Sequence, residues 1–160
     1  MKKNKNDRIL IGVLLIIFGG YLLITSVLEK KGEVAYVKVD NELMFSVDLK
    51  DGTFKPRPNE VVKTLQEMPV VEEDKLLVDG VIQTFLAFNQ GIVRYENLYY
   101  IMGNLGIVVI EYKDNQIRVK EEISPYNICS RQGFSDKQPI ICLPNYVTIE
   151  FNAAETDVNI

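Results

Sequence analysis

The chain contains no histidine, and with it goes the side chain used most often as a general base and as a ligand for zinc or haem. Cysteine is nearly as scarce. Cys129 and Cys142 stand thirteen positions apart, outside any Cys-x-x-Cys pattern, and two thiols without companions do not make a structural zinc or iron–sulfur site. The acidic runs Glu72-Glu73-Asp74 and Glu121-Glu122 lack the alternating oxygen ligands and central glycine of a calcium loop, so they read as solvated turns or strand edges. Gly103-Asn104-Leu105-Gly106 has no helix behind it and fails as a phosphate-binding loop. These absences leave no catalytic residue, metal ligand or cofactor to name. The chain reads as non-enzymatic.

Charge is missing altogether from residues 9–28, a run of twenty. At about 1.5 Å per residue such a helix is roughly 30 Å long, the thickness of a bilayer's hydrocarbon core. The run is longer than a secretory h-region, and it ends Thr25-Ser26-Val27-Leu28-Glu29 without a good cleavage site. No cysteine near its end offers a lipid attachment point. It is therefore expected to be a retained signal anchor crossing the membrane once. Lys2, Lys3, Lys5 and Arg8 place residues 1–8 in the cytoplasm by the positive-inside rule, opposed but not outweighed by Lys30 and Lys31. The remainder is then extracytoplasmic.

That remainder is short of positive charge. Six basic residues face two acidic ones up to Lys31, a balance of +4, whereas twelve face twenty from Gly32 onward, a balance of −8. An acidic domain of this kind is a poor long-range partner for nucleic acid or anionic lipid. Its length suits one domain, and its short runs of Val, Ile, Leu, Phe and Tyr suit a packed core.

Strand signals dominate residues 34–152. Val34 to Lys38 and Leu43 to Leu49 alternate about the turn Asp40-Asn41, making a first hairpin. The sheet is expected to pause at Lys55-Pro56-Arg57-Pro58, where two prolines remove backbone donors. Asn59 is placed to cap a short helix over Glu60 to Met68, with Val61, Val62 and Leu65 on one face and Pro69 past its end. Turn residues then recur at Asp79-Gly80, Asn89-Gln90-Gly91, Gly103-Asn104, Asp114-Asn115, Gln132-Gly133 and Pro144-Asn145. Between them lie expected strands at Val81 to Phe88, Ile92 to Tyr95, Leu98 to Met102, Ile107 to Tyr112, Gln116 to Lys120 and Val147 to Phe151. Short strands at that spacing mean an all-β small barrel or sandwich with one short inserted helix, preceded by the transmembrane helix. Residues 153–160, polar and acidic, read as a flexible tail.

Three readings of Cys129 and Cys142 stay open. Outside the cytoplasm a structural disulfide is favoured, and closing a loop of about fourteen residues stabilises by roughly 3 kcal/mol. Two free buried thiols or a redox-active pair are the others. Tyr95, Tyr99 and Tyr100 suit cross-strand packing better than an aromatic binding patch.

Three segments carry a family likeness: Gly106-Ile-Val-Val-Ile-Glu-Tyr-Lys-Asp-Asn-Gln-Ile-Arg-Val119, then Cys129-Ser-Arg-Gln-Gly133, then Ile140-Ile-Cys-Leu-Pro-Asn-Tyr-Val-Thr-Ile-Glu150. Together they resemble the membrane-anchored bacterial proteins named after NusG domain II. The opening pair, Val34 to Leu43 and Val47 to Phe54, is similar to that family's start after its anchor. Against shorter members, residues 55–96 look like an insertion. Where the family often carries a further Cys-Pro pair, this chain has Ser124-Pro125. The resemblance implies a compact all-β domain on the outer face of the cytoplasmic membrane, with an accessory role beside membrane transport, isoprenoid or flavin-transfer systems rather than a role in transcription.

The expectation is thus a non-enzymatic accessory or interaction module. Its partner would be a membrane protein or another extracytoplasmic protein. Arg131, Gln132, Gly133, Leu143, Pro144 and Asn145, around the cysteine pair, form the candidate interaction surface. The alternative is a redox accessory of a flavin or quinone system that cycles Cys129 and Cys142. A hydrolase or transferase using Asp and Glu alone finds no paired acids to support it.

Overall fold

The structure, a computed structural model, describes residues 5–28, 32–72, 74–84 and 86–152, and within the first of these spans the side chains of 10–21. The expected tail, 153–160, and the first half of the N-terminal segment 1–8 lie outside the described residues. The chain divides into two units, 1–30 and 31–160. In the first, α1 runs Lys5–Leu28, and the large apolar side chains at 10, 11 and 13–18 stand exposed along it. The described side chains cover only twelve positions of α1, and among the described residues no helix is long and apolar enough to cross a membrane. The described part of α1 therefore does not carry the transmembrane reading of residues 9–28.

The second unit is all β. Sheet A combines β12 (Ile140–Cys142), β13 (Val147–Asn152), β1 (Val34–Val39), β2 (Glu42–Asp48) and β3 (Phe54–Pro56), in that spatial order. Sheet B combines β11 (Gln116–Glu121), β10 (Ile107–Lys113), β9 (Leu98–Met102), β8 (Ile92–Tyr95) and β4 (Val62–Thr64). A smaller sheet C consists of β5 (Val70–Glu72), β6 (Lys75–Val78) and β7 (Val81–Ile82). The described strands close no barrel, so the sandwich alternative is the one realised.

Sheet B is the middle layer. In β10, Val108 and Ile110 join one core with Val37, Phe45 and Ile149 of sheet A, while Ile107 and Val109 join a second with Leu65, Leu76 and Leu86. Strand β9 divides in the same way, with Tyr99 and Ile101 on one side and Leu98 and Tyr100 on the other. Because successive side chains point to opposite faces, a strand covered on both sides reads as a continuous apolar run. An aromatic group locks sheets A and B together: the Tyr99 ring lies 4.9 Å from Phe45 and 5.1 Å from Phe54.

Hairpin turns sit where Asp, Asn and Gly pairs accept positive φ. Asp40-Asn41 has φ of 52° and 63°, Asp114-Asn115 has 51° and 63°, and Asp79-Gly80 has 51° and 74°. A register shift between Val37 and Lys38 puts one extra residue into β2, which explains how Met44 and Phe45, neighbours in sequence, are both buried.

Three expectations about strands and helices fail in this unit. Glu60 to Met68 is not a helix; Val62–Thr64 pairs in parallel with Ile92–Arg94, and Leu65 N donates to Arg94 O. Val62 packs on the first core and Leu65 lies in the second, so their three-residue spacing places them on opposite faces of a strand. Glu60 is drawn into a polar node instead. Its carboxylate, 4% exposed, pairs with Arg57 Nε and accepts the Gly91 N–H at 2.6 Å. Arg57 also reaches Glu42 and the Asn89 carbonyl, at 3.0 and 2.8 Å.

The second failure is the expected pause at Lys55 to Pro58. The sheet instead continues through Phe54–Pro56 as an edge strand, where Pro56 loses little by lacking a donor. The third is the long strand at Val81 to Phe88, which shortens to Val81–Ile82. Its partner β6 begins at Lys75, and the pairing ends with Gln83 N donating to Leu76 O.

Burial pushes the Tyr100 phenol up to about 12 from 10 and raises Tyr99 and Tyr112 in the same direction. An unfolded chain ionises Tyr100 near pH 10 while the folded chain does so only at about 12, so its stabilisation is complete below pH 10 and lost as pH rises toward 12, with Tyr99 and Tyr112 acting in the same sense. Thermal unfolding followed across that window should show a falling Tm, and Tyr100→Phe should flatten part of the fall. An identical slope in wild type and variant would contradict this assignment.

Candidate functional site

Cys129 and Cys142 are joined, with Sγ atoms 2.14 Å and Cα atoms 5.2 Å apart. Both are buried. They do not sit on two neighbouring strands: Cys142 ends the edge strand β12, whereas Cys129 opens a short 3-10 turn, Ser130–Gln132, that closes at Gly133 with φ of 75°. The bond fastens that turn to the outer edge of sheet A. Gln132 Nε2 then donates to the Ile141 carbonyl at 3.1 Å, occupying a strand edge that would otherwise be open to pairing.

Glu122, read from sequence as a solvated strand edge, is half-buried and organises the turn. Its Oε1 accepts the backbone N–H of Cys129 at 2.7 Å and of Ser130 at 3.2 Å, a carboxylate at the start of a turn where backbone donors are free. Its Oε2 lies 2.9 Å from Cys142 Sγ. A sulfur bonded to another sulfur carries no proton, so this contact is a close approach without a hydrogen bond.

Asn145 was expected on the surface and is 0% exposed. Its Nδ2 donates to Ile123 O at 3.1 Å and points at Cys142 Sγ at 3.7 Å, its Oδ1 accepts Leu105 N–H at 3.1 Å, and its backbone carbonyl accepts Asn104 N–H at 3.1 Å. One side chain thus ties together the 103–106 loop, the segment after β11 and the turn after β12. Gly103 makes room for it, since a Cβ there would stand 2.8 Å from Asn145 Cβ.

With Asn145 inside, the residues around it are turned out. Leu143 is 72% exposed, Tyr146 and Ile141 are each 51% exposed, and Phe88 meets the Tyr146 ring edge-on at 6.4 Å. Tyr146 holds a left-handed φ of 55°, secured by its carbonyl accepting Asp40 N–H at 2.9 Å. A cleft of about 180 Å³ opens here, walled by Ile141, Cys142, Leu143, Tyr146, Asp40 and Asn41. Of the expected surface residues, Arg131, Gln132 and Leu143 are exposed, Gly133 and Pro144 are half-buried, and Asn145 is the internal brace. Ile141, Leu143 and Tyr146 thus form an apolar patch on backbone held by Asn145 and the Cys129–Cys142 bond.

Residues 87–155 match the family model of NusG domain II. The match takes in the 103–106 loop, Glu122, both cysteines and Asn145, and it leaves out β1 to β7 and the opening pair Val34 to Phe54. Among solved structures, the Lin0431 protein from Listeria innocua is similar at 15% identity, over 76% of this chain and 97% of that one, with a TM-score of 0.34. A likeness of that size carries no inference. No curated protein matches the chain significantly.

Within the stretch that matches that family model, the residues missed from sequence were Glu122, Ile141 and Tyr146. Nothing in their spacing marks them, because a carboxylate seven residues before Cys129 becomes its partner only when the chain after β11 folds back. Asn145→Ala removes the partners of the Leu105 N–H and the Ile123 carbonyl, both in partly buried contacts. It should cost about 1–3 kcal/mol in denaturant unfolding, with Asn145→Asp restoring at most the Leu105 contact. A loss below the error of the measurement would show that the brace contributes nothing.

Proposed function

We propose that the chain is a membrane-tethered bacterial protein of the NusG domain II type, with its β-unit outside the cytoplasm acting as a non-enzymatic accessory that binds another protein. The observation that carries the reading is the apolar surface of Ile141, Leu143 and Tyr146, exposed beside a cleft while Asn145 and the Cys129–Cys142 bond hold its backbone in place. Exposed aromatic and aliphatic groups on a rigid mount lose little conformational entropy on binding, which is the property of interface anchors. The tether rests on the uncharged run 9–28 and on the four basic residues before it. The balance of −8 from Gly32 onward favours a protein partner over nucleic acid. Burial of both cysteines keeps the pair out of reach of a bulky flavin or quinone at the surface, which weighs against a redox accessory of such a system.

A photo-crosslinking residue at Leu143, in full-length protein in its native membrane, should capture one recurrent protein. The same residue at Lys113, an exposed position at the end of β10, should not. Equal capture from the two positions, or none from Leu143, would remove the proposed surface. Orientation has its own test. Lys113→Cys should react in intact cells with a membrane-impermeant maleimide, and reaction only with a permeant reagent would place the β-unit on the other side.

A further inference from the structure

We infer that Glu122, Cys129 and Cys142 form a binding site for a zinc-like divalent cation, closed while the sulfurs are bonded to each other and opened by a dithiol reductant. Their ligand atoms all lie within 4.8 Å of one another. From sequence, two cysteines were too few for zinc; the third ligand arrives only through the fold, when the chain after β11 returns beside the 3-10 turn.

Three details favour the site. The Glu122 carboxylate is already aimed, because two backbone N–H groups hold Oε1 and leave Oε2 facing sulfur at 2.9 Å. In the bonded state the half-buried side chain receives no N–H or O–H from the described residues at that oxygen, which leaves it available to a cation shared with the sulfurs. Asn145 Nδ2, 3.7 Å from Cys142 Sγ, is a donor suited to a metal-bound thiolate, the outer-shell support that such ligands ordinarily have. Two thiolates and one carboxylate suit a borderline ion such as zinc, with water as the fourth ligand of a tetrahedron. The cleft walled by Cys142 and Asp40 gives that water a place to enter.

The opening step balances as a thiol–disulfide exchange. The dithiol supplies two electrons and two protons; the bond between Cys129 and Cys142 breaks, each sulfur gains a proton, and the reductant's own sulfurs join. The cation then displaces both thiol protons to solvent, while Glu122 binds as the carboxylate. This inference does not rest on the docking surface, which involves Leu143 and Tyr146 and no sulfur chemistry.

The test uses the full chain in detergent, reduced with dithiothreitol and freed of it under nitrogen, then titrated with Co²⁺ and displaced with Zn²⁺. The reduced protein should bind one cobalt with a thiolate charge-transfer absorption, and the oxidised protein none. Glu122→Gln, which still accepts the two backbone N–H bonds, should keep its circular dichroism and bind at least about tenfold more weakly, a loss no smaller than that from removing an outer-shell partner. The double variant Cys129→Ser, Cys142→Ser should not show the absorption. Equal binding by oxidised and reduced chains, or unchanged affinity in Glu122→Gln, would overturn the site. So would a reduced chain that binds no cobalt, whether it keeps or loses its β-sheet signal, because the triad requires both the thiols and the fold.

Discussion

Ile107, Val108, Val109 and Ile110 are four consecutive buried residues, and a strand that alternates its side chains can bury four in a row only with an apolar layer on each face. Much of the β-unit is arranged by that requirement. Sheet A covers one face through Val37, Phe45, Val47 and Ile149, while Leu65, Leu76 and Leu86, with Val71 and Val78 beside them, cover the other. Segment 62–64 joins the edge of the middle sheet, and with Leu65 just beyond it the chain reaches both cores. Without sheet C, the outer face of Val93, Tyr100 and Val109 would stand in water, at about 25 cal/mol for each Å² left uncovered.

The polar nodes arise from the same layering. Where loops cross between sheets, backbone groups lose water and need partners inside the protein. Asn145 serves three segments at one end of the sandwich, and the Arg57–Glu60 pair, with Glu42 and Asn89, serves another crossing. Glu122 does the same for the turn that carries Cys129. Because these internal partners occupy the inward positions, the alternate residues Ile141, Leu143 and Tyr146 face out, and an apolar surface results at a place where the backbone is held on several sides.

Much of the fold was legible because its local chemistry is unambiguous. Asp40-Asn41 and Asp114-Asn115 tolerate positive φ, so the hairpins they close stand where expected, and β8 and β9 have the expected ends. The helix over Glu60 to Met68 failed for an instructive reason. Val62 and Leu65, three apart, share a face in a helix and take opposite faces in a strand; only the presence of two cores decides which is correct. At the candidate site, the cysteine pair was legible as a pair, and the 129–133 and 140–145 segments were legible as neighbours through it. Asn145 looked like a turn residue because asparagine usually is one, and its burial depends on Gly103 from a distant loop leaving space.

From the sequence alone come the absence of histidine, the division of charge at Lys31, the uncharged run 9–28 and the β character of residues 34–152, since each depends on composition or on contacts within a few residues. The tertiary structure decided the rest. Three layers in place of two, the extended path of residues 61–65, the burial of Asn145 and the approach of Glu122 to Cys142 all join residues distant in sequence, or depend on a second apolar face being covered. The spacing of side chains along a chain does not encode such meetings; they arise when two surfaces that cannot remain in water find each other.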